Sequence, residues 1–172
     1  LTSVVDIHSE ALGNEDGMGT FVEVPQLPGY SGLLERDYPF PVQTKLIEVS
    51  KARLDTVCGT IPKVSFIKLD LEGGEFDAVR GADQILRRFY PTITFEHGGT
   101  KTSQRYGYTQ EEFWEFWASR GYHLFDVFGT HYWDISFLGY ETVWNFFALS
   151  PLNPHYEGFL AHMTKLRHRL LE

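Results

Sequence analysis

The chain has 172 residues, 42% of them hydrophobic and 16% aromatic, with 23 acidic against 15 basic side chains for a net charge of −8. That content suits one folded domain with a sizeable core rather than a disordered chain, and the negative balance argues against a nucleic-acid backbone as the main partner. A single cysteine excludes an internal disulfide and a thiolate-rich zinc site, and no apolar stretch reaches membrane-spanning length. With so little thiol and no signal peptide at the start, a reducing cytoplasm is the expected compartment.

In chain order, residues 3–8 (SVVDIH) are β-branched and apolar enough for a buried strand, and SEALGNEDG after them carries turn formers. Residues 18–24 (MGTFVEV) alternate as a strand does. Residues 25–41 hold most of the turn-forming residues and read as a long loop, a candidate lid. A short strand is expected at 46–50 and one helical turn at 54–59. Residues 64–71 (VSFIKLDL) form the clearest strand, expected at the centre of a sheet.

In the segment that follows, Phe76, Val79, Ala82, Ile85, Leu86 and Phe89 recur at helical spacing and predict one amphipathic helix. Residues 91–96 (PTITFE) make another strand. Strand, helix and strand in so few residues form a βαβ unit, so the two strands should be parallel neighbours. Thr109 and Glu112 have capping-box spacing and open a helix to about Arg120, where Gly121 stops it. Strands are expected at YHLFDVF and at 142–149, as an antiparallel pair separated by a linker over 129–141. Asn153-Pro154 caps a last helix to about Leu171, and its Lys165, Arg167 and Arg169 read as a solvated face.

Chemistry concentrates at the carboxyl ends of the two parallel strands, where open α/β sheets bind ligands. Asp70 and Glu72 end one strand; Glu96 and His97 end its neighbour. Asp70 is not explained by helix capping and reads as functional. Glu72 and Glu75 fall near a helix start, where carboxylates favour the helix dipole. Lys68 inside an apolar run calls for a partner, for which Glu96 is the candidate. His97 is suited to proton transfer near neutral pH, or is a solvent-exposed turn residue beside its glycine pair. Asp70, Glu72, Glu96 and His97 together would suit Mg²⁺, Mn²⁺ or Ca²⁺, but their spacing matches no compact ligand motif; no metal is assigned. Phe113 and Trp117 should pack inward, whereas Tyr106, Tyr108, Tyr132 and Trp133 fall in loops and are candidates for the wall of an acceptor pocket.

The run Ile67-Lys68-Leu69-Asp70-Leu71-Glu72-Gly73-Gly74-Glu75, followed by Arg80-Gly81-Ala82 and the strand from Pro91 to Glu96, resembles the FkbM-type methyltransferases. Weaker matches in the right order are EALGNEDGMGTFVEV, GYSGL, Leu54-Asp55 and Gly121-Tyr122. The resemblance covers residues 1–149. It implies an α/β fold with a Rossmann-like sheet of the class I methyltransferase kind, mostly parallel with an antiparallel closing strand. It implies S-adenosylmethionine as cofactor and methylation of a hydroxyl on a small-molecule or glycan acceptor. Asp70 would stand beside the transferred methyl, and Ser9, Glu10, Ala11 and Leu12 would border the adenine.

His97 or Asp70 would act as base, with Glu96 orienting His97 or pairing with Lys68. The family's glycine-rich D-x-G-A-N-x-G turn and its next strand do not occur in this sequence. Residues 1–172 are therefore expected to form one methyltransferase-like domain that is the C-terminal portion of the fold, lacking its first strands. The alternative is a non-catalytic, degenerate module that binds carbohydrate or a protein partner.

Overall fold

The computed structural model describes residues 5–135 and 143–171. Within them the chain forms two small sheets and six helices, an α/β arrangement. The first sheet holds β1 (Ala11–Leu12), β3 (Lys45–Ala52) and β2 (Gly17–Glu23) in that order; β3 pairs parallel with β1 and antiparallel with β2. The second holds β4 (Phe66–Lys68), β5 (Thr92–Glu96), β8 (Asn145–Leu149), β6 (His123–Asp126) and β7 (His131–Tyr132). The parallel pairing of β4 with β5 is the one the βαβ reading requires. β8 runs antiparallel to both β5 and β6, so β6 points the same way as β4 and β5. The expectation of a mostly parallel sheet is corrected: antiparallel pairs outnumber parallel ones among the described strands.

Alternation on the strands sorts the core. Ile67, Leu69, Ile93, Phe95, Leu124, Phe146 and Ala148 point to one face, against α2 (Glu75–Arg80), α3 (Asp83–Phe89) and α5 (Gln110–Ala118). Phe113 and Trp117 of α5 are buried there as their spacing predicts. On the other face α6 (Tyr156–Leu171) packs Tyr156, Phe159 and Leu160 on Phe125, Phe147 and Leu149. On the β4 part of that second face Phe66 is 56% exposed among the described residues. β4 is thus three residues long and at the sheet edge, not central.

The single helix expected after Asp70 is two. Gly81 separates them, with its carbonyl accepting from the Asp55 amide and the carbonyl of Gly13 lying where a Gly81 Cβ would be. Asp55, in α1 (Leu54–Val57), then caps α3 from a distance, accepting from the Gln84 and Ile85 amides at 3.1 and 3.0 Å. Residues 5–8 are not a strand, and Val5 and Ile7 are exposed; residues 3–4 lie outside the described region. The stretch 129–135 contains β7, and the rest of the expected linker, with residue 142, lies outside the described residues. Both halves of the Thr109–Glu112 capping box are present, and Asn153 caps the last helix by accepting from His155 N. α4 (Gly99–Tyr106) was not expected.

Candidate active site

A cavity of about 540 Å³ opens beyond the carboxyl end of β4. Five pieces of chain wall it, with Phe21 of β2 and His8 among the lining residues. The segment entering β1 supplies Glu10, Ala11 and Leu12; the loop after β2 supplies Ser31, Gly32 and Leu33; α1 supplies Leu54, Val57 and Cys58; the strand tip supplies Asp70, Leu71, Glu72 and Gly74. The lining mixes apolar side chains with the carboxylates of Glu10, Asp70 and Glu72. Of the sequence-predicted cofactor residues, Glu10, Ala11, Leu12 and Asp70 come together here, although they lie far apart in the chain. Ser9 is exposed and outside the lining.

Asp70 leaves β4 on the same face as Phe66 and Lys68, because Ile67 and Leu69 take the buried face. Its Oδ2 lies 2.6 Å from Lys68 Nζ. Lys68 therefore pairs along its own strand and not with Glu96; alternation carries it out of the apolar run into solvent, where an i, i+2 neighbour is in reach. Glu96 stands on that same sheet face, by the register Lys68↔Thr94, and is exposed.

Glu72 is not at a helix start. Its φ of 56° places it in a left-handed turn, from which it pairs with Arg36 of the loop. Such a φ is uncommon for a residue with a Cβ. Glu75 opens α2 and turns inward, accepting from the Leu71 amide at 2.8 Å. Burial pushes its pKa up, against the pull of the Leu71, Glu75 and Gly73 amides.

His97 is buried, not a solvent-exposed turn residue, and points to the face opposite Asp70. Its ring packs 4.5 Å from Phe113 and its Nδ1 accepts from the Gly99 amide at 3.1 Å. The neutral ring then carries its proton on Nε2, which meets no partner among the described residues. Burial pushes the imidazole down to about 4. The structure does not bring His97 to the cavity that Asp70 lines. Tyr106 ends α4 and Tyr108 is core; Tyr132 belongs to β7, and Trp133, 76% exposed, borders a separate small cavity at the start of β6. None of these four aromatics lines the Asp70 cavity. Among the described residues no group of three or more His, Cys, Asp or Glu side chains is placed to hold a metal.

Residues 6–124 match the model of the methyltransferase FkbM domain. The chain belongs to that family. A protein named Methyltransferase 1 from Beauveria bassiana (strain ARSEF 2860) is 31% identical over 98 residues, covering 47% of this chain and 39% of that protein. The matched stretch thus spans about two-fifths of that relative's length. No solved structure matches the chain.

Sequence reasoning singled out Asp70 and Glu10 to Leu12, which line this cavity, and did not single out Cys58, which also lines it, or Arg36, which pairs with Glu72. Nothing local marks either one: Arg36 meets its partner 36 residues away, and Cys58 reaches the cavity only because α1 turns there.

Proposed function

We propose that this FkbM domain is an S-adenosylmethionine-dependent O-methyltransferase acting on a hydroxyl of a sugar or other small natural product. The observation that supports this is the shared cavity of Glu10–Leu12 and Asp70 at the β4 tip. The sheet around it is read as the Rossmann-like class I kind on the same grounds: β4, β5 and β6 point one way, with β8 inserted in reverse.

The lining fits the cofactor in its chemistry. Ala11, Leu12, Leu54 and Val57 offer an apolar slot for a flat ring, and Glu10 and Asp70 set carboxylates beside it, where a sulfonium is favoured. Glu10, Ala11, Leu12 and Asp70 would hold the cofactor, which when bound supplies an electrophilic methyl carbon. Asp70 takes the proton of the acceptor hydroxyl, since an alcohol is a poor nucleophile until that proton is leaving. Lys68 orients the Asp70 carboxylate through one oxygen, leaving the other for the hydroxyl. Holding the acceptor oxygen in line with the cavity removes an entropic barrier. Glu96 adds negative potential to the same rim, and His97 fixes the end of β5 through Gly99.

A second reading, a non-catalytic module for carbohydrate or a protein partner, is favoured by one observation: the sequence has no D-x-G-A-N-x-G turn. Incubating the longest natural form of the protein with methyl-labelled S-adenosylmethionine and fractionated small hydroxylated metabolites separates the two. The enzyme reading expects label in an alkali-stable ether, lost in Asp70→Asn. No transfer, together with no cofactor binding, favours the module. No described helix is long and apolar enough to cross a membrane; a cytoplasmic location belongs to this proposal.

A further inference from the structure

The segment between β2 and β3 has a firm root and a loosely held tip. At the root Val24 is fully buried, Val22 and Gly32 exchange backbone hydrogen bonds of 2.8 and 3.2 Å, and the Val24 amide donates to Ser31 Oγ. A 3-10 turn over Pro28–Tyr30 completes this compact unit. Its Ser31, Gly32 and Leu33 form one wall of the Asp70 cavity. Over residues 34–44 no backbone hydrogen bond is made among the described residues.

Two ion pairs and a ring contact between Tyr38 and Tyr30, centroids 6.3 Å apart, hold that tip instead. Arg36 reaches Glu72 on the strand tip, and Asp37 accepts from Arg105 of α4 at 3.0 Å. Their environments differ. Asp37 is 91% exposed, so its pair is heavily screened, whereas Arg36 and Glu72 are both partly buried. Arg36 is further steadied over the Tyr30 ring, 5.0 Å from its centroid.

Glu72 is itself a cavity residue, held in the left-handed region, with Gly29 and Gly32 close above it. The closed arrangement is also imperfect: the Tyr38 hydroxyl is buried without a partner among the described residues, which favours opening to water.

We propose that Arg36 and Glu72 are positioning residues that latch residues 34–44 over the cavity, so that a ligand enters and leaves when this pair breaks. The latch sets the position of the Ser31–Leu33 wall against the strand tip. Breaking it also bares the Glu72 carboxylate at the mouth, which draws a cationic ligand inward. The pairing itself is among the contacts above; its bearing on closure and on cofactor exchange rests on the methyltransferase reading.

Hydrogen–deuterium exchange of the full chain without ligand tests the latch directly. Arg36→Gln and Glu72→Gln should each speed exchange at the hydrogen-bonded Ser31 and Gly32 amides, the wall that the latch positions, by roughly fivefold, the factor a partly buried ion pair carries. Combining them should add nothing further, since both remove the same contact. Exchange in β5 and α5 should stay unchanged. In parallel, the dissociation rate of S-adenosylhomocysteine, followed by stopped flow, should rise by a similar factor in Arg36→Gln, and added salt should raise it in the native protein more than in the variant. Unchanged exchange in either single variant, or fully additive effects, overturns the latch. Absence of any S-adenosylhomocysteine binding by the native protein counts against the methyltransferase reading and leaves the exchange result to decide the latch.

Discussion

Gly13 and Gly81 meet backbone to backbone: the Gly13 carbonyl oxygen occupies the space a Gly81 side chain would need, and the Gly81 carbonyl in turn accepts from the Asp55 amide at 2.9 Å. This contact seats the exit of β1, one wall of the cavity, on the α2–α3 junction. A methyl group there has only backbone to displace. Gly81→Ala should cost about 1–3 kcal/mol, the range for overpacking a close contact, read as a lowered urea midpoint at constant slope. A midpoint within error of the native one would show that the two segments part without loss.

Asp55 is buried, and both its oxygens serve α3 amides. Asp55→Ala leaves two donors unsatisfied at the start of that helix, at a cost of about 1–3 kcal/mol. Asp55→Asn keeps one acceptor and should lose less. Thermal melts of the two variants rank them; equal losses would mean that the capping bonds contribute nothing beyond packing.

His97 makes stability depend on acidity. Its imidazole sits near 4 in the folded protein against about 6.5 when exposed, the cause being burial. The unfolded chain therefore takes up the proton first. Stability should be level above pH 6.5, fall as pH drops from about 6.5 towards 4, and stop falling from this source below that, a loss of order 3 kcal/mol. Urea unfolding at pH 7, 5.5 and 4.5 measures it. His97→Phe should flatten this part of the profile, and an unchanged slope in that variant would assign the acid sensitivity elsewhere.

Cys58 lines the cavity, and burial, with a smaller push from the Asp55 charge, raises its thiol pKa. Alkylation by N-ethylmaleimide at pH 8 should run several-fold slower than on an unstructured cysteine peptide, because less thiolate is present. S-Adenosylhomocysteine should slow it further. Labelling at peptide speed, followed by mass spectrometry, would show that α1 does not shield this wall.

How much of this was written in the sequence differs by element. The β4–β5 unit was legible because Ile67, Leu69, Ile93 and Phe95 alternate and an apolar stripe lies between them. α5 was legible because its cap is local, set by Thr109 and Glu112. The break at Gly81 was not, because the hydrogen bonds made there go to Asp55, remote in the sequence. α4 was hidden by its polar composition, which shows no apolar stripe for periodicity to catch. Val5 and Ile7 resemble strand residues by composition alone, and strand formation needs a partner edge that no local pattern supplies. At the site, Asp70 stood out as a charge at a strand tip. The face each residue takes decided the rest, turning Lys68 toward Asp70 and His97 into the aromatic core.

The central claim is that the cavity joining Glu10–Leu12 to Asp70 receives the cofactor, and this can be measured without knowing the acceptor. Leu12→Arg fills the apolar slot with a charged side chain while leaving the Asp70 rim in place. Calorimetric titration of S-adenosylhomocysteine should give saturable heat with the native protein and none with Leu12→Arg, whose far-ultraviolet circular dichroism matches the native spectrum. Equal binding by the two proteins would contradict the account.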